Sequence, residues 1–220
     1  DIDLVKQLIY QSKIRGLHAF GYTYIANNKT ITNKIERLED LNIPITNTLI
    51  YHNRYTTSGD HNESKNNQPL KHKNTYLVFN GVIDMGTKEE IEQKHNISMY
   101  SSNDGEIFLH YIEQLDPVET IKKLNCSFAG VYIKNNRIYC IRNRYRPLWV
   151  HKTKHSVFIT STKDIFNRAG IDDVMPVIEN TNIELKDFIN EKTGIQEVSY
   201  PYDAKWGYRS CIQLPTLHSK

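Results

Sequence analysis

The chain contains the stretch Thr75-Tyr76-Leu77-Val78-Phe79-Asn80-Gly81. Its first five residues are almost wholly apolar, which is typical of a strand buried on both faces, and we expect the strand to stop at Asn80-Gly81. A buried strand with this ending can present a side-chain amide and a backbone N–H to one point, as an oxyanion hole requires. The alternative is a hairpin turn, for which Asn-Gly is the strongest short signal, and the stretch alone favours the turn.

The segments before this strand combine helix and strand patterns. Apolar residues at helical spacing predict a helix from Asp1 to Arg15 that ends at Gly16. We then predict a strand His18–Ala26, a short helix from Thr32 or Asn33 to Leu41, a strand Thr48–Tyr55 and a polar loop Ser58–Lys73. A loop of this length inside a compact domain is often functional.

The segments after it begin with two predicted helices, Thr87–His95 and Asp104–Leu115. Beyond them we predict strands Phe128–Ile133, Arg137–Ile141, Leu148–His151 and Val157–Thr160, a helix Lys163–Ala169 and a strand Val174–Ile178. Strands, then helices, then a strand meander indicate the α+β class, with sheets and helices in separate layers.

Composition and charge narrow the possible functions. The 220 residues suffice for one sizeable core, and 39% are hydrophobic, as in globular proteins. The 28 basic and 25 acidic residues are interspersed and leave a net charge of +3, which predicts a mixed surface rather than a basic face for nucleic acid. No apolar run approaches the ~20 residues that span a bilayer. We therefore expect neither a nucleic-acid partner nor a membrane segment.

The three cysteines, Cys126, Cys140 and Cys211, are widely spaced and form no CxxC pair. They indicate neither a disulfide framework nor a zinc site. The nine histidines lack metal-ligand spacing, so no metal or other cofactor is implied. The start, Asp1-Ile2-Asp3, is unlike a signal peptide, and we expect a cytoplasmic, reducing location.

Two further stretches contain charged residues suited to binding a small molecule. Arg54 follows an apolar strand, and its planar guanidinium matches a carboxylate. Asp104 opens a predicted helix, where a carboxylate that points into a cleft can bind an ammonium group. Each residue has a structural alternative, because Arg54 can pair with a structural carboxylate and Asp104 can cap its helix. From either stretch alone, the structural alternative is favoured.

In combination, these stretches resemble the motifs of class II glutamine amidotransferases, whose nucleophile is the N-terminal residue. Arg15-Gly16…Gly21 looks like RGxDSxG, and His52–Gly59 is similar to H-x-R-[YW]-x-T-x-G. The further matches are Asn67-Gln68-Pro69-Leu70, Asn80-Gly81, Asp104-Gly105-Glu106, Phe128–Tyr132, Arg142…Leu148 and Ile159–Ser161. Their order and spacing hold over most of the chain. Val82 follows Asn80-Gly81, which is nearer the phosphoribosylpyrophosphate and hexosamine-phosphate types than the asparagine synthetases.

The resemblance implies an N-terminal-nucleophile hydrolase fold, a four-layer αββα sandwich with mainly antiparallel sheets. It implies that Arg54 holds the α-carboxylate of L-glutamine, that Asp104 holds its α-ammonium and that Thr57 lines the pocket. Asn80, through its side chain, and Gly81, through its backbone N–H, would stabilise the oxyanion. The set is chemically coherent, because an amino acid needs a cationic clamp, an anionic clamp and donors at the reacting carbonyl.

The family's nucleophile, an N-terminal cysteine whose α-amine acts as the base, has no counterpart at Asp1. We do not accept the three internal cysteines as substitutes, since buried cysteines are the default and none has a free amine beside it. Two explanations stay open. We favour a natural chain with an upstream first strand that carries the cysteine, because loss of a central strand would leave an open groove in the core. The other explanation is a degenerate family member.

Two departures lie near the family's catalytic face, namely His18-Ala19 in place of Asp-Ser and Asn143 in place of an aspartate. We predict a glutamine amidotransferase domain at residues 1–190 and a tail or linker at 191–220. This domain would hydrolyse L-glutamine to glutamate and supply ammonia to a synthase domain or partner subunit. The alternatives are an inactive module that binds glutamine or a protein partner, and an α+β domain of another use.

Overall fold

Eleven strands and six α-helices make up the part of the chain that the structure describes, residues 2–55 and 60–189 of a computed structural model. The strands are β1 (Ala19–Ala26), β2 (Lys29–Ile35), β3 (Leu49–Arg54), β4 (Leu70–His72), β5 (Thr75–Val82), β6 (Ser127–Lys134), β7 (Arg137–Arg142), β8 (Trp149–Lys152), β9 (Val157–Thr160), β10 (Met175–Pro176) and β11 (Asn182–Glu184). The helices are α1 (Ile2–Gln11), α2 (Lys88–His95), α3 (Gly105–Tyr111), α4 (Pro117–Leu124), α5 (Lys163–Arg168) and α6 (Leu185–Ile189).

A five-stranded antiparallel sheet in the order β11-β7-β6-β5-β4 lies at the centre of the molecule. One of its faces packs against α2, α3 and α4. The cluster between them includes Phe79, Ile107, Phe108, Ile121, Phe128 and Tyr132. Phe108 stacks on Phe128 with ring centroids 4.5 Å apart. Full burial of side chains of this size stabilises the fold by roughly 1.5–3 kcal/mol each.

Two three-stranded antiparallel sheets, β2-β1-β3 and β10-β8-β9, cover the other face. Ile50 of β3 packs with Val78 of the central sheet, and Val150 of β8 packs with Cys140. Helices α1 and α5 lie outside this second sheet layer, where apolar side chains of α1 and α5 meet Phe158 of β9. The layers therefore run helix, sheet, sheet, helix, which confirms the predicted αββα sandwich with antiparallel sheets.

In the described part of the chain, the two three-stranded sheets are not joined to each other. Within the described residues, β3 and β9 are outer strands of their sheets, and both line one cavity of about 2050 Å³. Val78 and Val131 of the central sheet line it from one side, and Leu8 of α1 lines it as well. The open edges of two strands thus border an apolar space, and such edges are templates for a further strand.

The predicted helix from Thr32 or Asn33 to Leu41 is wrong. Residues 29–35 form β2 instead, and only the 3-10 turn Leu38–Asp40 is helical. Asn27 and Asn28 both have left-handed φ angles, 50° and 59°, which closes a tight hairpin between β1 and β2. The hydroxyls of Thr23 and Thr32 then meet across the pair at 2.7 Å, and this β-branched pairing outweighs the capping signal.

Strand β5 does not stop at Asn80-Gly81 as predicted, and the hairpin alternative is also wrong. The strand continues to Val82, and Gly81 is paired with Phe128 of β6.

Helix α4 was not predicted from the sequence. Pro117 lies in its first turn, and the Asp116 carboxylate accepts hydrogen bonds from two backbone N–H groups. Strand β4 lies inside the predicted loop Ser58–Lys73. The predicted tail, 191–220, lies outside the described residues.

Among the described residues, no helix has the length and apolar character needed to cross a membrane.

Candidate active site

Arg54 ends β3 at the border of the cavity, and its side chain is buried. Its guanidinium donates to the side-chain oxygen of Asn67, whose own amide donates to the carbonyl of His61 at 2.8 Å. Burial lowers the pKa of the Arg54 guanidinium, and the negative charges of Asp60 and Asp104 oppose that shift. Arg54 therefore lies within electrostatic range of Asp104, with its fork oriented by an amide.

Gly16 supports this arginine from the chain segment after α1. A Cβ atom at position 16 would lie 2.3 Å from the carbonyl carbon and oxygen of Arg54, so only glycine permits the approach. The next residues continue the contact, since the His18 N–H donates to the Arg54 carbonyl at 3.1 Å. The Arg15-Gly16 motif thus positions the end of β3.

Asp104 lies immediately before α3 and is 5% exposed. It makes no side-chain capping hydrogen bond to α3, so the capping alternative is wrong. Its Oδ2 accepts from the backbone N–H of Ile83 at 2.6 Å and of Asp84 at 3.3 Å. Burial raises the pKa of the Asp104 carboxyl to about 6, and these two hydrogen bonds oppose that shift. Both bonds end on Oδ2, which leaves Oδ1 able to take an additional donor.

Asn80 and Gly81 lie side by side near the end of β5, opposite Ala129 and Phe128 of β6. A Cβ atom on Gly81 would lie 1.9 Å from the carbonyl oxygen of Ser127, so the two strands can approach only at a glycine. Asn80 is half-buried, and its side-chain amide has no hydrogen-bond partner among the described residues. That amide is free to bind a ligand.

The cavity that separates β3 from β9 is lined by all four of these residues, Arg54, Asn80, Gly81 and Asp104. Thr57 falls in residues 56–59, which lie outside the described residues. The structure thus brings together a cation, a carboxylate and a side-chain amide at one concave surface. A zwitterionic amino acid with a polar carbonyl requires this combination of charges and donors.

The two departures from the family motifs have different places in this arrangement. His18 stacks on Tyr55 and lies beside His61, each with ring centroids 5.1 Å apart. Asn143 accepts from the N–H of Phe128 at 3.1 Å and donates to the carbonyl of Cys126. An aspartate at position 143 could not donate to that carbonyl. Asn143 therefore adds a hydrogen bond to the backbone close to Phe128, the residue paired with Gly81.

Neither described cysteine can act as a nucleophile. Cys126 and Cys140 are fully buried. Burial raises the pKa of the Cys126 thiol to about 12 and also raises that of Cys140, so both remain protonated at neutral pH. Cys211 lies outside the described residues. Within residues 2–55 and 60–189, no group of three or more histidine, cysteine or acidic side chains is placed to hold a metal ion.

The sequence did not reveal a hydrogen-bonded group around Asp84, two residues beyond the end of β5. The Asp84 carboxylate contacts Lys94 at 2.6 Å and the His95 ring at 3.2 Å, and the other ring nitrogen of His95 lies 3.1 Å from the Tyr111 hydroxyl. Burial would raise the pKa of Asp84, but its hydrogen bonds to Lys94, Gly86 and His95 lower it to about 2. No local motif connects these residues, which come together only when α2 and α3 pack.

Comparison with known proteins gives a family match and similar solved structures. The model of the glutamine amidotransferase domain family matches residues 52–168, more than half of the chain. Two similar solved structures are those of the glutamine phosphoribosylpyrophosphate amidotransferase from B. subtilis complexed with ADP and GMP, and of the allosteric regulatory enzyme of purine biosynthesis. Both have a TM-score of 0.59 and 16% identity over 83% of this chain.

The chain covers only 46% and 45% of those two structures, less than half of each. No curated protein sequence matches it. At such low identity the solved structures show the fold alone, which is that of the N-terminal-nucleophile hydrolases. The family model covers β3 to α5, including Arg54, Asn80, Gly81 and Asp104. On this match, the chain belongs to the glutamine amidotransferase domain family.

Proposed function

We propose that this chain is the glutaminase domain of a class II glutamine amidotransferase. It binds L-glutamine, hydrolyses it to glutamate, and supplies the ammonia to an acceptor site on another domain or on a partner subunit. The observation that carries the proposal is the position of Arg54 and Asp104, two opposite charges, on the same cavity as Asn80 and Gly81. We expect this reaction in the cytoplasm, without a nucleic-acid partner, a membrane or a cofactor.

The two charged side chains hold the backbone end of glutamine. Arg54 binds the α-carboxylate through its guanidinium, which Asn67 already orients. Asp104 binds the α-ammonium through Oδ1, since Oδ2 is occupied by two backbone N–H groups. A bound ammonium favours the ionised carboxylate, so ligand binding itself opposes the effect of burial on Asp104. For Thr57, which lies outside the described residues, the proposal of a contact with glutamine rests on the motif resemblance alone.

The carboxamide of the bound glutamine is then attacked by a thiolate. As the tetrahedral intermediate forms, the negative charge on its oxygen is stabilised by the Asn80 side-chain amide and the Gly81 N–H. Collapse of the intermediate releases ammonia, which takes up the proton first removed from the thiol, and leaves a thioester. Water hydrolyses the thioester to glutamate and regenerates the thiol. Loss of one such oxyanion donor typically lowers kcat by about 10²–10³-fold.

The thiol comes from the N-terminal cysteine of an extended segment that lies between β3 and β9. Three features support this assignment: both strand edges are open, the cavity between them is lined by apolar side chains such as Val78, and it reaches the four site residues. A strand in this position would satisfy the backbone groups of both edges. The burial of Cys126 and Cys140 excludes them as alternative sources of the thiol.

A second function is a catalytically inactive module that binds glutamine or a protein partner. It is favoured by one observation, namely that no described cysteine is exposed to the cavity. The two functions differ in a single respect, the release of ammonia from bound glutamine.

Titration of L-glutamine into the native protein by calorimetry, combined with an assay of ammonia release, tests both proposals. We expect saturable binding that Arg54→Ala abolishes while the circular dichroism spectrum is unchanged. N-terminal sequencing of the native protein tests the source of the thiol, and the glutaminase requires cysteine as the first residue. Binding without ammonia release and without that cysteine would establish the inactive module. Absence of glutamine binding in the native protein would remove both the glutaminase and the glutamine-binding module.

A further inference from the structure

Asp104 is connected to the Asp84 group through the turn that follows β5. The backbone N–H groups of Ile83 and Asp84 both donate to Asp104 Oδ2. The side chain of Asp84 points the other way, accepts from the Gly86 N–H at 3.0 Å and contacts His95 Nε2 at 3.2 Å. The turn therefore contacts Asp104 through its backbone and α2 through a side chain.

His95 continues this connection to α3. Its Nδ1 lies 3.1 Å from the hydroxyl of Tyr111, and its side chain is 11% exposed. A carboxylate can only accept, and a phenol hydroxyl can donate. The neutral imidazole with a proton on Nε2 satisfies both neighbours, since it donates to Asp84 and accepts from Tyr111. The contacts of His95 with Asp84 and Tyr111 are therefore directional, and both His95 and Asp84 are largely shielded from water.

The contacts close a ring. Asp104 stands directly before α3, and Tyr111 is the last residue of that helix. From Tyr111 the ring passes to His95, the last residue of α2, then to Asp84 and back to Asp104. Because both ends of α3 take part, the ring fixes the helix relative to the turn after the oxyanion residues.

We propose that Asp84, His95 and Tyr111 are positioning residues that hold Asp104 in the orientation needed to bind the α-ammonium of glutamine. This inference rests on the proposed function. The physical reason is that the two N–H donors fix Oδ2 and thereby the orientation of a carboxylate that lines the cavity. A small shift of the turn releases the carboxylate and weakens a contact that depends on distance and angle.

The alternative explanation is that these contacts only hold α2 and α3 together and do not affect ligand binding. A ligand without the ammonium group distinguishes the two explanations. Glutaramic acid is L-glutamine without its α-amino group, so it retains the contacts to Arg54, Asn80 and Gly81 and lacks the contact to Asp104. A positioning defect weakens L-glutamine selectively, whereas a general packing defect weakens both ligands.

Two variants test the proposal, Tyr111→Phe and His95→Gln. Tyr111→Phe removes only the hydroxyl and keeps the aromatic ring beneath Lys123, 5.2 Å from its ammonium nitrogen. The control is Lys94→Ala. It removes a 65% exposed partner of the Asp84 carboxylate and leaves the contacts between Asp84, His95 and Tyr111 in place. We expect Tyr111→Phe and His95→Gln to weaken L-glutamine binding about tenfold and to leave glutaramic acid binding unchanged. Lys94→Ala should change neither. Equal losses for both ligands, or no loss in either variant, would overturn the proposal.

Hydrogen exchange of the Ile83 amide decides the inference even if the proposed function fails. Absence of glutamine binding in the unmodified protein would refute both the glutaminase and the glutamine-binding module, and the exchange measurement would then decide whether these residues fix Asp104. In that case, about tenfold faster exchange at Ile83 in Tyr111→Phe and His95→Gln would still support the ring as the device that fixes Asp104. Unchanged exchange in both variants would refute it.

Discussion

The side-chain amide of Gln68 hydrogen bonds to both backbone groups of Phe79. Its Oε1 accepts from the Phe79 N–H at 2.6 Å, and its Nε2 donates to the Phe79 carbonyl at 3.2 Å. Phe79 directly precedes Asn80, so one buried glutamine fixes the backbone that leads into the oxyanion residues.

Replacement of Gln68 should destabilise the protein. Gln68→Ala leaves a buried N–H and a buried carbonyl without their partner, which costs about 2–4 kcal/mol in free energy of unfolding. Urea denaturation measures the loss. Lys71→Ala, on the exposed side of the neighbouring β4, should change the midpoint little. A Gln68→Ala midpoint equal to that of Lys71→Ala would show that water replaces the lost bonds.

A methyl group at position 81 should not be accommodated. In Gly81→Ala the new Cβ atom meets the Ser127 carbonyl, a backbone atom that cannot move without separating β5 from β6. We expect a loss of roughly 1–3 kcal/mol in the free energy of unfolding and a lower rate of ammonia release. Gly86→Ala is the matched control, because the nearest atom there is a flexible Glu90 oxygen at 3.3 Å. Equal stability of the two variants would contradict the close approach.

Asp104 should lower stability at neutral pH. Burial raises its folded-state pKa to about 6, above the value in an unfolded chain, so the folded protein holds the proton more tightly. The resulting cost is absent below the unfolded pKa, grows as the pH rises from about 4 to 6 and is constant above that range. Asp104→Asn should therefore stabilise the protein by about 2–3 kcal/mol at pH 7.5, but little at pH 4.

Urea denaturation at the two pH values measures this difference. The control is Asp172→Asn, at an exposed position, for which the two measurements should agree. If Asp104→Asn stabilised the protein more at pH 4 than at pH 7.5, the expected direction of the pH dependence would be contradicted.

Glutamine affinity should depend on pH through the same carboxyl. The ammonium binds the ionised form, so protonation of Asp104 competes with the ligand. Below about pH 6 the affinity should fall nearly tenfold per pH unit, and it should level off above pH 7. Calorimetry between pH 5 and 8 measures the profile. Asp104→Asn should bind weakly at every pH, and a profile in the unmodified protein that is flat through pH 6 would argue against Asp104 as the ammonium partner.

The sequence predicted most of the layered architecture, because elements with strong periodicity or apolar runs, such as β5 and β6, form where they were expected. Its errors share a physical cause. Asn27 and Asn28 adopt the left-handed angles of a tight turn, and the pairing that follows overrides the capping signal at Thr32. Asn80-Gly81 was expected to end a strand because the pair is common in turns, whereas close contact with Ser127 is the reason for glycine here.

The site was predictable only in part. The residues in recognisable motifs, Arg54, Asn80, Gly81 and Asp104, line one cavity as a common site requires. The residues that hold them in place were not predictable, because Asp84, His95 and Tyr111 lie on three elements and become neighbours only through packing. Gln68 is intermediate, since its motif was recognised while its bonds to Phe79 were not.

The open edges of β3 and β9 also bear on how the molecule melts. Among the residues that the structure describes, no backbone hydrogen bonds join these two strands, so the two outer sheets are linked mainly through the central sheet and each can loosen without the other. A strand inserted between them would merge both into one continuous sheet and one cooperative unit. The calorimetric and van't Hoff enthalpies of unfolding should then converge. The strand that would complete the proposed catalytic centre would therefore also make thermal unfolding cooperative.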